Sequence, residues 1–200
     1  MSDTYYVKTF GGLKITNDNV TVNIVELFGK QLVNLLQVLL FHSEKPVQKD
    51  ELIDILWPES KNPSSALKFS IFRLRAELNE IEFFKDKEVI VTTRKGYILN
   101  PNLDWNIDFV ELEKAYNQIN DGSERLDEKE FKTARKIFRL YQGRFYASPS
   151  QLHWILQKQE IFRQMYVKTM MRTSCYLYTQ KRYDEMMLMN YQAVLIEPFN

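Results

Sequence analysis

The chain has a single cysteine, Cys175, so no intrachain disulfide can form, and a reducing cytoplasm is the expected setting. Cys175 lies among Ser174, Tyr176 and Leu177 and reads as a buried structural thiol. Only two histidines are present, His42 and His153, and neither has metal-ligand spacing around it. There is no GxxxxGK[ST], no GxGxxG and no HExxH. No apolar run is long enough to span a bilayer, and the N-terminal residues lack the pattern of a secretory leader. No cofactor, no metal, no catalytic activity and no membrane partner are therefore expected. A charge excess is missing too. Net charge is +1, with 13 Lys/Arg against 13 Asp/Glu in residues 1–102 and 14 against 13 in residues 103–200. A uniformly basic nucleic-acid domain is excluded, and any such function has to rest on local patches.

What is present is ample apolar and aromatic material, 44% and 14% of residues, enough for a packed core. Residues 5–10 are a β-rich run ended by Gly11-Gly12, and 13–16 and 20–22 alternate apolar and polar on either side of Asn17-Asp18-Asn19, which predicts a small antiparallel sheet. Leu and Val recur at helical spacing over 30–42, and Ser43-Glu44-Lys45-Pro46 ends that helix. A second helix is expected over 49–56, stopped at Trp57-Pro58. A third runs from Pro63 to Leu78 or Asn79, with Asn62 as its N-cap and Pro63 at its first position. A hairpin over 88–99 follows, then a linker at Asn100-Pro101-Asn102. Sheet, three helices and hairpin make a winged helix-turn-helix with an added N-terminal sheet.

Local charge singles out the third helix and the hairpin. Ser60 to Ala76 holds four cations (Lys61, Lys68, Arg73, Arg75) and no acid, and Val89 to Leu103 holds Arg94 and Lys95 and no acid. At 100° per residue, Leu67, Ile71, Leu74 and Leu78 share one face of the helix. Ser65, Lys68, Phe69, Phe72, Arg73 and Ala76 lie opposite, with Arg75 on the flank. A cationic helix of this kind fits the DNA major groove, and a basic hairpin beside it reaches the backbone or minor groove. Arg73 is the first candidate for reading a guanine edge; a salt bridge to Glu77 at i+4 is its bland alternative. Lys68 and Arg75 are candidate phosphate contacts, as are Ser64 and Ser65 at the helix N-terminus and Arg94 and Lys95 at the hairpin tip. Phe69 and Phe72 can meet thymine methyl groups, or else a protein surface. Gly96 is expected to free the backbone for the tip turn. Trp57, Trp105 and Trp154 read as core or interdomain plugs, and Met165, Met170, Met171, Met186, Met187 and Met189 as adaptable core filler.

Beyond Leu103 the pattern is purely helical: 108–120, 128–141, about 150–179 and 183–196, in antiparallel pairs like a tetratricopeptide stack. The last helix is apolar on most of its circumference, since only Asn190 and Gln192 are polar between Met186 and Ile196. Such a helix needs partners on more than one side. A covering helix missing through C-terminal truncation is the favoured reading, and a homodimer using this surface is the alternative.

Leu52-Ile53-Asp54-Ile55-Leu56-Trp57-Pro58, then Ala66-Leu67, Ile71, Arg73-Leu74-Arg75 and Leu78, then Val91-Thr92 and Gly96-Tyr97-Ile98-Leu99, resemble the OmpR-type winged-helix domain. Leu140-Tyr141-Gln142-Gly143-Arg144-Phe145 with Trp154 and Arg163, and 181–198, resemble the bacterial transcriptional activator domain. In this order the two halves are similar to the SARP-type regulators, the AfsR/DnrI/RedD group. The resemblance implies an OmpR-type DNA-binding domain over 1–102 and a bacterial transcriptional activator domain over 103–200. It also implies binding of double-stranded DNA at promoter direct repeats, through the helix 63–78 and the wing 92–96, and contact with RNA polymerase to activate transcription. The positions matching DNA contacts are Lys68, Phe69, Phe72, Arg73, Arg75 and Arg94. Phe72 departs from the family, where a polar or basic residue is usual, so base preference does not transfer. The competing function is a protein-interaction module that uses both parts as docking surfaces without DNA.

Overall fold

The computed structural model describes residues 4–119, 126–147 and 152–198. They form two compact units, and the units do not follow the chain in simple order. The first comprises Met1–Val7 and Lys14–Trp105; the second comprises Lys8–Leu13 and Asn106–Asn200. The chain thus passes from the winged-helix unit into the helical one between Trp105 and Asn106. The assignment of Lys8–Leu13 to the helical unit has no forewarning in the sequence.

Three N-terminal strands, β1 (Thr4–Lys8), β2 (Lys14–Asn17) and β3 (Val20–Asn23), appear where the β-rich run and the two alternating stretches placed them. β2 and β3 pair antiparallel across the two-residue turn Asp18-Asn19, with Asn17 opposite Val20, and Asp18 takes a positive φ of 50° as this turn requires. The sheet order is β3-β2-β1 followed by a later strand from Asp104–Ile107. That strand corrects the expectation of a purely helical course after Leu103: Trp105 and Ile107 alternate inward with Asp104 and Asn106. A single helical turn, α1 (Ile24–Leu27), leads into α2 (Lys30–Phe41), α3 (Lys49–Leu56) and α4 (Pro63–Asn79). A 3-10 turn at Glu82–Phe84 precedes the hairpin β4 (Ile90–Thr93) and β5 (Gly96–Leu99), and β6 is the strand Asp104–Ile107.

α2 is buried over most of its length, from Leu32 to Leu40, because α3, α4 and β5 all pack on it. α4 buries Leu67, Ile71, Leu74 and Leu78, the stripe expected from the helical wheel, together with Ser70. Asn62 does occupy the N-cap position with Pro63 following, but its side chain makes no cap hydrogen bond. Tyr5 of β1 is fully buried, with ring centroids 4.9 Å from Phe84 and 5.3 Å from Trp105. The Trp105 indole donates to the Asn100 carbonyl at 3.0 Å, so this residue is a plug within the first unit.

The second unit contains α5 (Asp108–Ile119), α6 (Glu128–Leu140), α7 (His153–Thr179) and α8 (Tyr183–Ile196). A capping box starts α6: the Asp127 side chain accepts from the Glu130 amide at 2.7 Å, and Glu130 accepts from the Asp127 amide at 2.8 Å. Residues 120–125 and 148–151, where the loop and the start of the long helix were expected to fall, lie outside the described residues.

Lys8–Leu13 is built into this unit by side chains and backbone alike. Phe10 packs within 5.1–5.9 Å of the rings of Tyr141, Phe145 and Phe162. Gly11 donates to the Arg144 carbonyl at 2.9 Å, and Tyr146 donates to the Thr9 carbonyl at 2.7 Å. Gly11 has φ +78°, and a Cβ there would stand 2.9 Å from the Gln142 carbonyl oxygen, so the close approach needs glycine. Asp108, the first residue of α5, accepts hydrogen bonds from the Thr9 amide at 2.7 Å, the Thr9 hydroxyl and the Phe10 amide at 3.3 Å. Burial pushes its carboxyl up to about 6, and these hydrogen bonds hold it from rising further.

Two expectations about the helical unit are corrected. Cys175 is exposed, because α7 turns it away from the buried Thr169, Thr173 and Leu177. Met171 and Met187 are also exposed and are not core filler. α8 buries only Ala193; Tyr183, Met187, Leu188, Tyr191, Val194 and Leu195 are all exposed. Among the described residues, no helix is long and apolar enough to cross a membrane.

Candidate nucleic-acid interface

With its apolar stripe turned inward, α4 turns the opposite face to solvent. Ser64, Ser65, Lys68, Phe69, Phe72 and Arg73 are all exposed there, Phe69 by 62% and Phe72 by 70%. Lys68 has no ion-pair or hydrogen-bond partner among the described residues. Arg73 donates from Nη2 to Glu77 Oε1 at 3.2 Å, the i+4 pair that competes with base reading. Both members of that pair are well solvated, so it is worth well under about 1 kcal/mol and yields readily to a better acceptor.

Arg75 stands apart from this set. It is half-buried, and its guanidinium donates to the Ile90 carbonyl at 3.1 Å from Nε and 2.8 Å from Nη2, and to Thr92 Oγ1 at 2.8 Å. It lashes α4 to strand β4, so that the helix and the wing form one piece. The sequence offered Arg75 as a flank residue on a cationic helix, and nothing in that pattern pointed to a carbonyl 15 positions away.

The wing is a tight antiparallel hairpin with Ile90 opposite Leu99 and Thr93 opposite Gly96, so Arg94 and Lys95 form the two-residue turn. Both are exposed. The turn is fixed by Thr93, whose hydroxyl accepts from the amides of Lys95 and Gly96 at 3.2 Å each and donates to the Gly96 carbonyl at 3.1 Å. Thr93 was not singled out in the sequence; Thr before a basic turn is too common to signal this. Gly96 has φ +146°, and an added Cβ would lie 1.8 Å from the Val47 carbonyl oxygen. Its need is therefore close approach as much as turn geometry. Val47 and Tyr97 exchange backbone hydrogen bonds of 2.8 and 3.0 Å beside it, which ties the base of the wing to the segment between α2 and α3.

The structure thus brings six candidates together on α4 (Ser64, Ser65, Lys68, Phe69, Phe72, Arg73). It puts two more on the wing tip (Arg94, Lys95) and uses the ninth, Arg75, as the strut between the two elements. Three helices with a two-stranded wing, preceded by a sheet and followed by a helical region, define a winged helix-turn-helix protein with an appended all-α unit.

The profile of the family described as "Transcriptional regulatory protein, C terminal" matches residues 25–99, which is the stretch from α1 to the end of β5. Residues 25–99 are therefore a winged-helix domain of the transcriptional-regulator type. Among solved structures, that of Mycobacterium tuberculosis EmbR in complex with a low-affinity phosphopeptide superposes with a TM-score of 0.71 at 15% identity, over 100% of this chain and 52% of that one. The chain spans about half the length of that protein, and the likeness shows the fold across both units. The DNA-binding domain of E. coli CadC matches at 24% identity with a TM-score of 0.36, over 50% of this chain and 94% of that one. No curated protein matches the chain in sequence.

Proposed function

We propose that this chain is a sequence-specific regulator of transcription that binds double-stranded DNA with α4 in the major groove and the wing on the adjacent backbone. The observation that carries this reading is the exposed face of α4. Lys68 and Arg73 interleave with Phe69 and Phe72 there, next to a wing whose tip is Arg94-Lys95. Phosphate neutralisation by Lys68, Arg94 and Lys95, with the Ser64 and Ser65 hydroxyls and the α4 N-terminal amides, supplies affinity. Arg73 supplies discrimination by leaving Glu77 for guanine O6 and N7, and the two phenylalanines meet thymine methyls. Arg75 keeps helix and wing in fixed register and does not itself contact phosphate.

Activation at direct-repeat promoters, with residues 103–200 acting as a bacterial activator domain toward RNA polymerase, extends the same reading. A cytoplasmic setting goes with it. The test is genome-wide footprinting of the intact chain, followed by duplex binding over a salt series. Discrete sites with even spacing and steeply salt-dependent binding are expected. Arg73→Ala should weaken the preferred site by roughly 1–3 kcal/mol and leave random duplex nearly unchanged. Uniform loss on all sequences would make Arg73 a phosphate anchor, and no duplex affinity at low salt would remove the proposal.

One observation favours a second reading. The exposure of Phe69 and Phe72 also suits a protein-docking patch, and a stable protein partner lost in Phe69→Ser/Phe72→Ser, with no DNA affinity, would establish it.

A further inference from the structure

The helical unit contains a cleft of about 820 Å³ lined by α6 and α8, with Tyr166 of α7 also in its lining. Its two walls differ in chemistry. On α6, Lys132, Arg135 and Arg139 face the cleft, and all three are exposed. None of the three has a carboxylate partner among the described residues. The nearby α6 cation Lys136, by contrast, is paired with Glu111. On α8 the wall is mainly apolar, Leu188, Met189, Leu195 and Ile196 with Glu185 and Gln192 among them, and Leu188 and Leu195 are exposed by 59% and 65%. The one acid of the lining, Glu185, already accepts from Arg182, so it does not offset the α6 cations.

We propose that this cleft docks an acidic amphipathic helix of a partner protein. The spacing on the two walls supports a helix over a compact ligand. Lys132, Arg135 and Arg139 sit at i, i+3 and i+7, and Leu188 and Leu195 are likewise seven residues apart. Each wall is therefore about two turns, roughly 10 Å, long. A visiting helix that carries Leu, Met or Phe along one stripe and carboxylates at i, i+3 or i+4, and i+7 along the adjacent edge matches both walls at once. A phosphate backbone would satisfy the α6 cations but leave the leucines of α8 in water. The site belongs to the second unit and does not depend on the DNA reading of α4.

The probe is a fluorescein-labelled 16-residue helical peptide with a leucine stripe flanked by glutamates, together with its counterpart carrying lysine at every glutamate. Fluorescence anisotropy is measured against the intact 200-residue chain. Saturable binding of the acidic peptide is expected, at least tenfold tighter than that of the lysine peptide and weakened by added salt. Arg135→Glu/Arg139→Glu should weaken it about tenfold or more, since it reverses two exposed charges, and Leu188→Glu/Leu195→Glu should abolish it. These side chains are exposed, so thermal melts should be unchanged and separate loss of binding from loss of fold. Duplex DNA binding by Arg135→Glu/Arg139→Glu should equal that of the parent chain. The proposal falls if the acidic peptide does not bind, if both peptides bind alike, or if the α6 variant binds it normally. It falls equally if that variant loses duplex binding, which would hand the cleft to DNA. A dimer in sedimentation that Leu188→Glu/Leu195→Glu dissolves would hand it to a second copy.

Discussion

α4 and α8 both expose large apolar side chains, yet they do so in opposite company. On α4, Phe69 and Phe72 are interleaved with Lys68 and Arg73, and the reverse face is a fully buried leucine and isoleucine stripe. On α8, Met187, Tyr191 and Val194 form an exposed face with no cation among them, and Ala193 alone is buried. The first pattern is a helix with a finished inner face and an outer face suited to a polyanion. The second is a helix whose apolar surface exceeds what its own unit covers, the property of a packing surface. Exposed hydrophobic residues thus separate into two kinds according to the charges placed between them.

The largest expected effect breaks this comparison directly. Lys68, Arg73, Arg94 and Lys95 replaced together by alanine should lower duplex affinity by two orders of magnitude or more at moderate salt. The slope of log affinity against log salt should fall by about 3, at roughly 0.9 for each of the phosphates left without Lys68, Arg94 or Lys95, since Arg73 is assigned to a base edge. Melting temperature should hardly move, because all four are exposed. Met187→Ser/Tyr191→Ser/Val194→Ser should leave duplex binding unchanged in the same assay; a loss there would erase the distinction between the two helices.

Next comes Gly96→Ala, which should cost about 3 kcal/mol or more in urea unfolding, because its Cβ would meet the Val47 carbonyl oxygen. A variant as stable as the parent would show that the base of the wing shifts freely. Asp108 gives a third test, in the helical unit. Its folded carboxyl lies at about 6, above the ordinary 3.8. The folded chain therefore holds this proton more tightly than the unfolded one. Its stabilising share is complete below about pH 4 and is lost as pH rises toward and past 6, to the extent of roughly 2–3 kcal/mol. Asp108→Asn should remove that slope, so the difference between variant and parent in thermal melts should change across pH 4–7 and be flat above. A constant difference would mean that the carboxylate is stabilised by its Thr9 and Phe10 donors more than burial opposes it. The smallest effect is expected for the α8 triple serine variant on stability, within about 0.5 kcal/mol, because these side chains are already in water.

Periodic elements were legible because burial of a helix or strand face leaves a regular trace in sequence. α2, α3, α4 and α8 lie within a residue of where hydrophobic spacing placed them, and the α4 stripe is the one expected. What could not be read depends on partners distant in sequence. β6 is four residues long and gains its identity from pairing with the sheet. Arg75 has a helical address but a role set by β4. Cys175 and Met187 belong to residue types that are usually buried, and only the orientation of α7 and α8 leaves them out. Asp108 looked like an acid at the start of a helix, and its burial comes from a segment 99 residues earlier.

That early segment has a consequence for how the protein is made and cut. Lys8–Leu13 is synthesised well ahead of its surroundings: the aromatic socket for Phe10 is not complete until Phe162 has been made. The helical unit therefore matures only after residue 162 has been made, by closing a loop of about 150 residues. A piece cut at residue 103 would have every helix of that unit and still lack the wedge that fills its socket.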